Sequence, residues 1–219
     1  MIHRIGPASA PMGFISDIHG NLDALNVVLS ELAQQGVVDL YAAGDLLLGG
    51  EEPLGVFRRL KQAKVHCVKG PTEVALTTVD PRDLQPANDE ESARLNDFLN
   101  TRSALGELVL RELAQLPPSL RVPLIDGREL VVVHGSPADM HESISHDLTE
   151  DEVLDLLGDD PADIVVCGGT HVPFLRVVEE VEVCNVGSVG AAPEGNYAHY
   201  SVISPRTDGA SIVQHIVSY

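Results

Sequence analysis

The sequence predicts an α/β fold built on a largely parallel sheet. Short apolar runs of strand length alternate with segments of helical spacing, which is the pattern of βα units. The chain has 219 residues, 44% of them hydrophobic, which is enough for one sizeable core. No repeat or low-complexity linker divides it, so we expect a single domain over residues 1–219.

The first half of the chain alternates between strand and helix. A strand predicted over residues 12–16 is followed by leucines at helical spacing, and Asn21 is placed to cap the helix that they define. The next strand is predicted over residues 38–43, the next helix begins near Pro53, and a third strand covers residues 65–68. Strands joined through helices pair in parallel, so this half of the sheet is expected to be parallel.

The character of the sequence changes between Val74 and Leu116. A polar stretch with two prolines gives way to apolar residues at helical spacing, which predicts a loop and two helices. We interpret residues from about 75 to 116 as a helical insertion beside the sheet. The sequence leaves open whether this insertion covers a binding site or is a surface excursion.

Strands return after the insertion. Two of them, over residues 120–125 and 129–133, are joined by the turn residues Asp126 and Gly127, and a helix follows over residues 149–157. One further strand is predicted over residues 164–167. From Phe174 onward, β-branched runs predict consecutive antiparallel strands, over residues 175–178, 181–186, 199–203 and 212–217.

Side chains that can bind a metal stand at the ends of several predicted strands. Carboxylates and imidazoles follow the apolar runs at five places, in the segments 16–21, 44–45, 70–73, 134–136 and 169–171. The carboxyl ends of parallel strands meet at one edge of a sheet, where open α/β folds place their active sites. The sequence therefore predicts a metal site at this edge.

The composition restricts the partners of the protein. Lysine and arginine number 14 against 33 aspartate and glutamate residues, a formal net charge of −19. Such a chain repels the phosphate backbone of bulk nucleic acid, whereas a small anionic substrate is compatible with a bound cation.

No stretch has the length of a signal peptide core or a membrane span, so we expect a cytoplasmic protein without a membrane partner. Three isolated cysteines, Cys67, Cys167 and Cys184, suit a reducing compartment as small buried side chains.

The order and spacing of the motifs resemble those of the calcineurin-like metallophosphoesterase superfamily, in particular its small bacterial phosphoesterase branch. The resemblance extends from residues 16–21 to residues 168–173. It includes residues 185–190, which are similar to a stretch near the metals in that family. It implies a four-layer α/β/β/α sandwich with two mixed sheets and a two-metal centre at the carboxyl ends of the strands.

The resemblance also implies a set of metal ligands. Four side chains correspond to the ligands of the family's first metal: Asp17, His19, Asp45 and His171. The family's second metal shares the residue matched by Asp45 and uses the one matched by His134. Oxygen and imidazole donors without thiolate suit Mn, Fe or Zn, so the expected cofactor is one of these divalent ions.

The chain departs from the family pattern at the second metal. Pro71 and Gly169 stand where the family has an asparagine and a histidine ligand, and Thr72 replaces the histidine that serves as general acid. An unactivated hydroxyl is a poor proton donor at neutral pH. We expect one bound ion and a degenerate second position that is weakened, lost, or rebuilt by a nearby side chain. The candidates for rebuilding it are Glu73, His141 and His146.

Two hypotheses for function follow. In the first, the protein hydrolyses a small phosphomonoester or phosphodiester through a metal-bound hydroxide. In the second, it is a weak or inactive relative that binds a metal, a phosphate ligand or a partner. Asn21 is predicted to cap a helix and, in a secondary role, to contact substrate. Ser188 is predicted to bind substrate in a phosphate-binding turn or to support the metal loops. The oligomeric state is left open.

Overall fold

Two mixed β-sheets form the centre of the protein in a computed structural model that describes residues 3–4, 7–159 and 162–219. The described strands are β1 His3–Arg4, β2 Met12–Ile15, β3 Asp39–Ala42, β4 His66–Cys67, β5 Leu120–Pro123, β6 Glu129–Val132, β7 Ile164–Cys167, β8 Phe174–Val178, β9 Val181–Asn185, β10 Tyr197–Arg206 and β11 Gly209–Ser218. The described α-helices are α1 Leu22–Gln34, α2 Pro53–Gln62, α3 Pro71–Thr78, α4 Asp89–Ala114 and α5 Glu150–Leu157.

The five-stranded sheet has the strand order β11-β10-β2-β3-β4. Strands β2, β3 and β4 are parallel, with Met12 opposite Asp39 and Tyr41 opposite His66. Strand β10 pairs antiparallel with β2, and β11 pairs antiparallel with β10. The predicted parallel half of the sheet is confirmed, and each of its strands is joined to the next through a helix.

The six-stranded sheet has the order β1-β5-β6-β7-β9-β8. Strands β6, β7 and β9 are parallel, and β5 and β6 form the hairpin predicted around Asp126 and Gly127. The prediction of consecutive antiparallel strands after Phe174 is wrong in one respect. Strand β8 pairs with β9 and β10 pairs with β11, but β9 and β10 lie in different sheets. The connection over residues 186–196 is too long for a tight hairpin.

Among the described residues, three apolar cores hold the sheets and helices together in four layers. Between the sheets lie Phe14 and Tyr41 of one sheet and Val132 and Val166 of the other. Because side chains alternate along a strand, Ile15 belongs instead to the core beneath α1 to α4. A third core joins α5 to the outer face of the six-stranded sheet. The predicted α/β/β/α sandwich is confirmed.

The helices begin at recognisable signals. Helix α1 starts where the Asn21 side chain accepts a hydrogen bond from the backbone N–H of Ala24 at 3.0 Å. Helix α3 was not predicted: Pro71 in its first turn and Glu73 at its third position initiate a helix directly after β4. The two helices expected in the insertion are observed as α4, a 26-residue element interrupted at Gly106, where φ is 69°.

The cysteines are free thiols. Cys167 and Cys184 are buried, and burial raises the pKa of the Cys184 thiol to about 12. Buried thiols of this kind behave as small apolar side chains, as predicted, whereas Cys67 is only partly buried. Across the part of the chain that the structure describes, no helix combines the length and hydropathy needed to cross a bilayer.

Candidate metal centre

The five candidate ligands lie in loops that follow strands of both sheets. Asp17 and His19 follow β2, Asp45 follows β3, His134 follows β6, and His171 follows β7. They form two groups of three: an outer group of Asp17, His19 and His171, and an inner group of Asp17, Asp45 and His134. Within each group, one potential ligand atom from every residue lies within 4.8 Å of the others. Folding therefore brings all five residues together.

The grouping differs from the ligand set that the family resemblance implies. That set places Asp45 with Asp17, His19 and His171 around one ion. In the structure, Asp45 belongs instead to the inner group, where its Oδ2 lies 3.7 Å from His134 Nε2. Asp17, and not Asp45, is the residue that the two groups share.

The outer group has short distances between its potential ligand atoms. Asp17 Oδ1 lies 3.1 Å from His171 Nε2 and 3.7 Å from His19 Nε2. The two imidazole Nε2 atoms are 3.2 Å apart. Asp17 is completely buried, whereas the two histidines are partly exposed. The group is thus anchored in the core and reaches the surface through its histidines.

Backbone carbonyl groups fix the orientation of the histidine rings. Nδ1 of His19, His134 and His171 lies 2.8, 2.8 and 3.0 Å, respectively, from a backbone carbonyl oxygen, to which it donates its hydrogen. This hydrogen bond selects the tautomer in which the Nε2 lone pair is free. Histidines that bind metals are typically held by such a bond on the other ring nitrogen.

Two features of the outer group fit a bound cation. Asp17 Oδ1 is buried and has no hydrogen-bond partner among the described residues, an arrangement that costs free energy unless an ion is near. In the tautomers just described, the Nε2 lone pairs of His19 and His171 face each other across 3.2 Å. A divalent cation would satisfy these three atoms at once, and the mixture of carboxylate and imidazole donors suits such an ion.

Four of the ligand candidates have left-handed backbone. Among the described residues, six non-glycine residues have positive φ, and four of them are Asp17 at 52°, His19 at 48°, Asp45 at 52° and His171 at 62°. This region costs an L-residue about 1–2 kcal/mol, and residues held in it cluster at functional sites. The loops therefore hold these side chains in fixed directions, and packing elsewhere must offset the free-energy cost of the left-handed backbone.

Thr72 and Glu73 hold Asp45 in position. The backbone N–H and the hydroxyl of Thr72 both donate to Asp45 Oδ1, at 3.0 and 2.9 Å. The buried carboxylate of Glu73 accepts hydrogen bonds from three backbone N–H groups at 2.9 Å, those of Asp45, Leu46 and Gly70. Sequence reasoning considered Glu73 only as a replacement ligand and missed this supporting role.

The residues considered for rebuilding the second position do not join the inner group. Glu73 has both carboxylate oxygens engaged, and burial together with the charge of Asp45 raises the pKa of its carboxyl to about 7. His141 and His146 are exposed and belong to neither group. Within the described residues, the inner group consists of two carboxylates and one imidazole.

Pro71 and Gly169 occupy positions with local structural demands. Pro71 lies in the first turn of α3, where its missing N–H has no consequence. Gly169 has a φ of 78°, and its N–H donates to Asp17 Oδ2 at 2.9 Å. A Cβ atom at position 169 would collide with Ser143 Oγ and lie 3.3 Å from His134 Nε2. The family's histidine could therefore not be accommodated here unless Ser143 moved.

The two predicted substrate contacts have partners within the protein. Asn21 lines the cavity in front of the outer group, and its Nδ2 donates to Tyr219 Oη at 3.0 Å. Ser188 is buried, and its hydroxyl donates to the carbonyl oxygen of Asp17 and accepts from the N–H of Ala191, both at 2.8 Å. Ser188 thus supports the Asp17 loop, which was one of its two predicted roles. Substrate contact by either residue stays a prediction.

The charges of the outer group are coupled. Burial acts to raise the pKa of Asp17, but hydrogen bonds that His171 and His19 donate when their Nε2 atoms are protonated outweigh this effect and hold the pKa well below its ordinary value. A bound cation would take the place of these protons. Burial acts to lower the pKa of His19, but the adjacent Asp17 outweighs it and raises that pKa. Asp17 is therefore a carboxylate at neutral pH, which is the form that binds a cation.

Comparison with known families agrees with the fold. The model of the calcineurin-like phosphoesterase superfamily domain matches residues 11–208. The chain belongs to this family, whose members hydrolyse phosphoesters with divalent metals. The resemblance recognised in the motifs is thereby confirmed, whereas the small bacterial branch and the degenerate second position stay predictions.

Individual relatives are more distant. The uncharacterized protein MJ0912 of Methanocaldococcus jannaschii is 25% identical, over 91% of this chain and 85% of that protein. The crystal structure of hypothetical protein PH1004 from Pyrococcus horikoshii OT3 has a TM-score of 0.79 at 20% identity, and covers 100% of this chain and 89% of that chain. A metallophosphoesterase from Sphaerobacter thermophilus has a TM-score of 0.74 at 24% identity, with 97% and 89% covered. At these identities, the structures establish the shared fold.

Proposed function

We propose that this protein hydrolyses a small phosphomonoester or phosphodiester with a divalent cation held by the outer group. The observation that supports this most is the convergence of the unpartnered Asp17 Oδ1 with Nε2 of His19 and His171, beside an open cavity. Mn, Fe or Zn suits these donors. The inner group offers a second position with fewer ligands than the family uses.

The chain's own residues prepare the site. When bound, a divalent cation supplies Lewis acidity to the phosphoryl oxygens and makes water a better nucleophile at neutral pH. The N–H of Gly169 fixes one oxygen of Asp17 and leaves the other free. Carbonyl groups fix the rings of His19 and His171. The donor atoms are therefore preorganised, which reduces the cost of binding the ion.

Protonation of the leaving group is the weak point of this site. The Thr72 hydroxyl, at the position of the family's general acid, already donates to Asp45 Oδ1 at 2.9 Å. A hydroxyl engaged in this way does not release a proton to a departing alkoxide. We therefore expect turnover of esters with good leaving groups, such as aryl phosphodiesters, and slow turnover of alkyl esters.

Metal analysis combined with a substrate panel tests the proposal. The purified protein should bind about one Mn per chain by plasma mass spectrometry and should release p-nitrophenol from bis(p-nitrophenyl) phosphate only when metal is present. Dimethyl phosphate should be at least about 100-fold slower, because it leaves as an alkoxide without a proton donor. Protein that cannot be loaded with Mn, Fe or Zn would contradict the outer group as a metal site.

A metal- or phosphate-binding protein without turnover is the second candidate. It is favoured by the absence of ligand side chains at Pro71 and Gly169 and by the engaged hydroxyl of Thr72. This reading predicts that metal binds with the same stoichiometry while no phosphoester is cleaved. Metal-loaded protein that is inactive on mono- and diesters alike would establish it in place of hydrolysis.

A further inference from the structure

The cavity in front of the outer group is acidic. It has a volume of about 710 Å³ and is lined by His19 and His171 at one side. Three carboxylates line it: Asp23, Glu51 and Glu52. No lysine or arginine is among the described residues of its wall. A phosphoester that enters therefore meets carboxylates that no lysine or arginine of the described wall balances.

These three carboxylates are exposed, and none has an ion-pair or hydrogen-bond partner among the described side chains. Asp23 lies in the first turn of α1, where an acidic residue interacts favourably with the helix dipole. Glu52 stands at the N-cap of α2 without a side-chain capping bond, and Glu51 precedes it. All three carboxylates thus lie near the N-terminus of a helix, where negative charge is favourable, and their exposed side chains are open to a ligand.

A second feature, on which the proposed function also rests, indicates a cation beside the cavity. The buried, unpartnered Oδ1 of Asp17 lies 3.1 Å from Nε2 of His171, which lines the cavity. The acidic rim, formed by Asp23, Glu51 and Glu52, therefore borders a site that suits a cation and, by the proposed function, binds a phosphoryl group.

An aromatic ring completes the wall. Tyr219 lines the cavity and packs partly against the core beneath the helices, and its hydroxyl accepts a hydrogen bond from Asn21 Nδ2 at 3.0 Å, which holds the side chain near the N-terminus of α1. Carboxylates and an aromatic ring together are the chemistry that recognises an ammonium group. Polyphosphates, in contrast, are recognised by arginine and lysine, which this wall lacks.

We propose that the site prefers phosphoesters of amino alcohols, in which a group with one positive charge is linked through its alcohol to a single phosphate. The phosphate would face the outer group, and the ammonium would face Glu51, Glu52 and Tyr219. This inference rests on the proposed function, since it names the substrate class of the same site. Polyanionic esters, such as those with several linked phosphates, are disfavoured by the same charges.

A matched pair of diesters tests the role of the charge. p-Nitrophenyl phosphorylcholine and p-nitrophenyl 3,3-dimethylbutyl phosphate have the same leaving group and nearly the same shape, but only the first has an ammonium. In both, a water oxygen bonds to phosphorus, the bond from phosphorus to the p-nitrophenolate oxygen breaks, and the water proton passes to the buffer. With Mn-loaded protein at low salt, kcat/KM should be at least about fivefold higher for the choline ester, mainly through KM. The ratio should fall towards one in about 0.5 M salt.

Substitutions identify the side chains that cause the preference for the choline ester. Glu51→Gln combined with Glu52→Gln should reduce the preference to less than about twofold, and Tyr219→Leu should reduce it in part. Glu180→Gln, which removes a charge from the exposed turn between β8 and β9, should leave the preference unchanged. A preference that survives the double variant would show that the acidic rim does not cause it, which would overturn the inference.

Calorimetry separates this inference from the proposed function. Phosphorylcholine and 3,3-dimethylbutyl phosphate are titrated into Mn-loaded protein, and the first should bind at least about fivefold more tightly. Equal affinities and equal kcat/KM values would overturn the ammonium preference while leaving hydrolysis intact. If neither diester is cleaved, the proposed function fails, and the ratio of the two affinities alone then decides whether the cavity recognises an ammonium.

Discussion

The outer and inner ligand groups share Asp17 but differ in their access to solvent. In the outer group, the His19 and His171 side chains are 19% and 30% exposed and border the cavity. In the inner group, the His134 and Asp45 side chains are 4% and 11% exposed. Under the proposed function, we expect the outer group to meet metal and substrate and the inner group to hold the loops together.

The change with the largest expected effect is Asp17→Asn, because Asp17 is common to both groups. Replacing the carboxylate by an amide should weaken Mn binding at least about 100-fold and abolish metal-dependent turnover. The folded protein should remain, since the amide keeps the shape of the side chain. Calorimetric titration with Mn measures the loss, and Asp208→Asn on the β10–β11 turn is the control. Unchanged Mn affinity in Asp17→Asn would show that neither group binds the metal through Asp17.

Glu73→Ala tests the support beneath the inner group. The substitution leaves three buried N–H groups without their acceptor, and each such group costs about 1–3 kcal/mol, so unfolding should be easier by about 3 kcal/mol or more. Urea denaturation of metal-free protein gives the value. Glu73→Gln keeps one acceptor oxygen and should lose less. A loss below about 1 kcal/mol in Glu73→Ala would show that these hydrogen bonds do not hold the Asp45 loop.

The pair His171→Ala and His134→Ala distinguishes the groups directly. His171→Ala should weaken Mn binding at least about tenfold and change stability by less than about 1 kcal/mol, because the ring is partly exposed. His134→Ala should cost about 2–3 kcal/mol, because it removes a buried ring and the donor to a buried carbonyl. Mn affinity and urea midpoints are measured for both. The reverse pattern would make the inner group the principal metal site.

Thr72→Val has the smallest expected effect. It removes the hydroxyl that donates to Asp45 Oδ1 but keeps the backbone N–H bond to the same oxygen. Stability should fall by about 1 kcal/mol and Mn affinity by less than about threefold. Thr72→Ser retains the hydroxyl and is the matched control. A large loss of turnover in Thr72→Val alone, with affinity unchanged, would assign the hydroxyl a role in catalysis.

Much of the fold was predictable because its signals are local. The leucine spacing of α1, the Asn21 cap and the Asp126-Gly127 turn each follow from neighbouring residues. Helix α3 was missed although Pro71 and Glu73 are a recognisable helix start, because residues 70–73 were interpreted as a strand end with ligands. The separation of β9 from β10 was also missed, although the intervening connection is long for a hairpin.

Sequence reasoning predicted which side chains lie together but not how their atoms are grouped, and their roles as metal ligands stay predictions. The strand-end positions of Asp17 and His171 indicate which side chains meet. Their partition into two groups depends on how Thr72 and Glu73 orient Asp45, and these contacts join residues 27 and 28 positions apart in the chain. The role of Gly169 likewise depends on Ser143, which no motif includes.

The left-handed backbone at His19 and His171 has a consequence for engineering. Glycine adopts this conformation without the steric cost that a histidine pays there, so His19→Gly and His171→Gly relieve strain while deleting the donors. Selection for thermal stability alone would favour such substitutions and would yield a more stable variant without metal-dependent activity. Screens for more stable variants should therefore include divalent ions, because the free energy of metal binding then favours variants that keep both histidines.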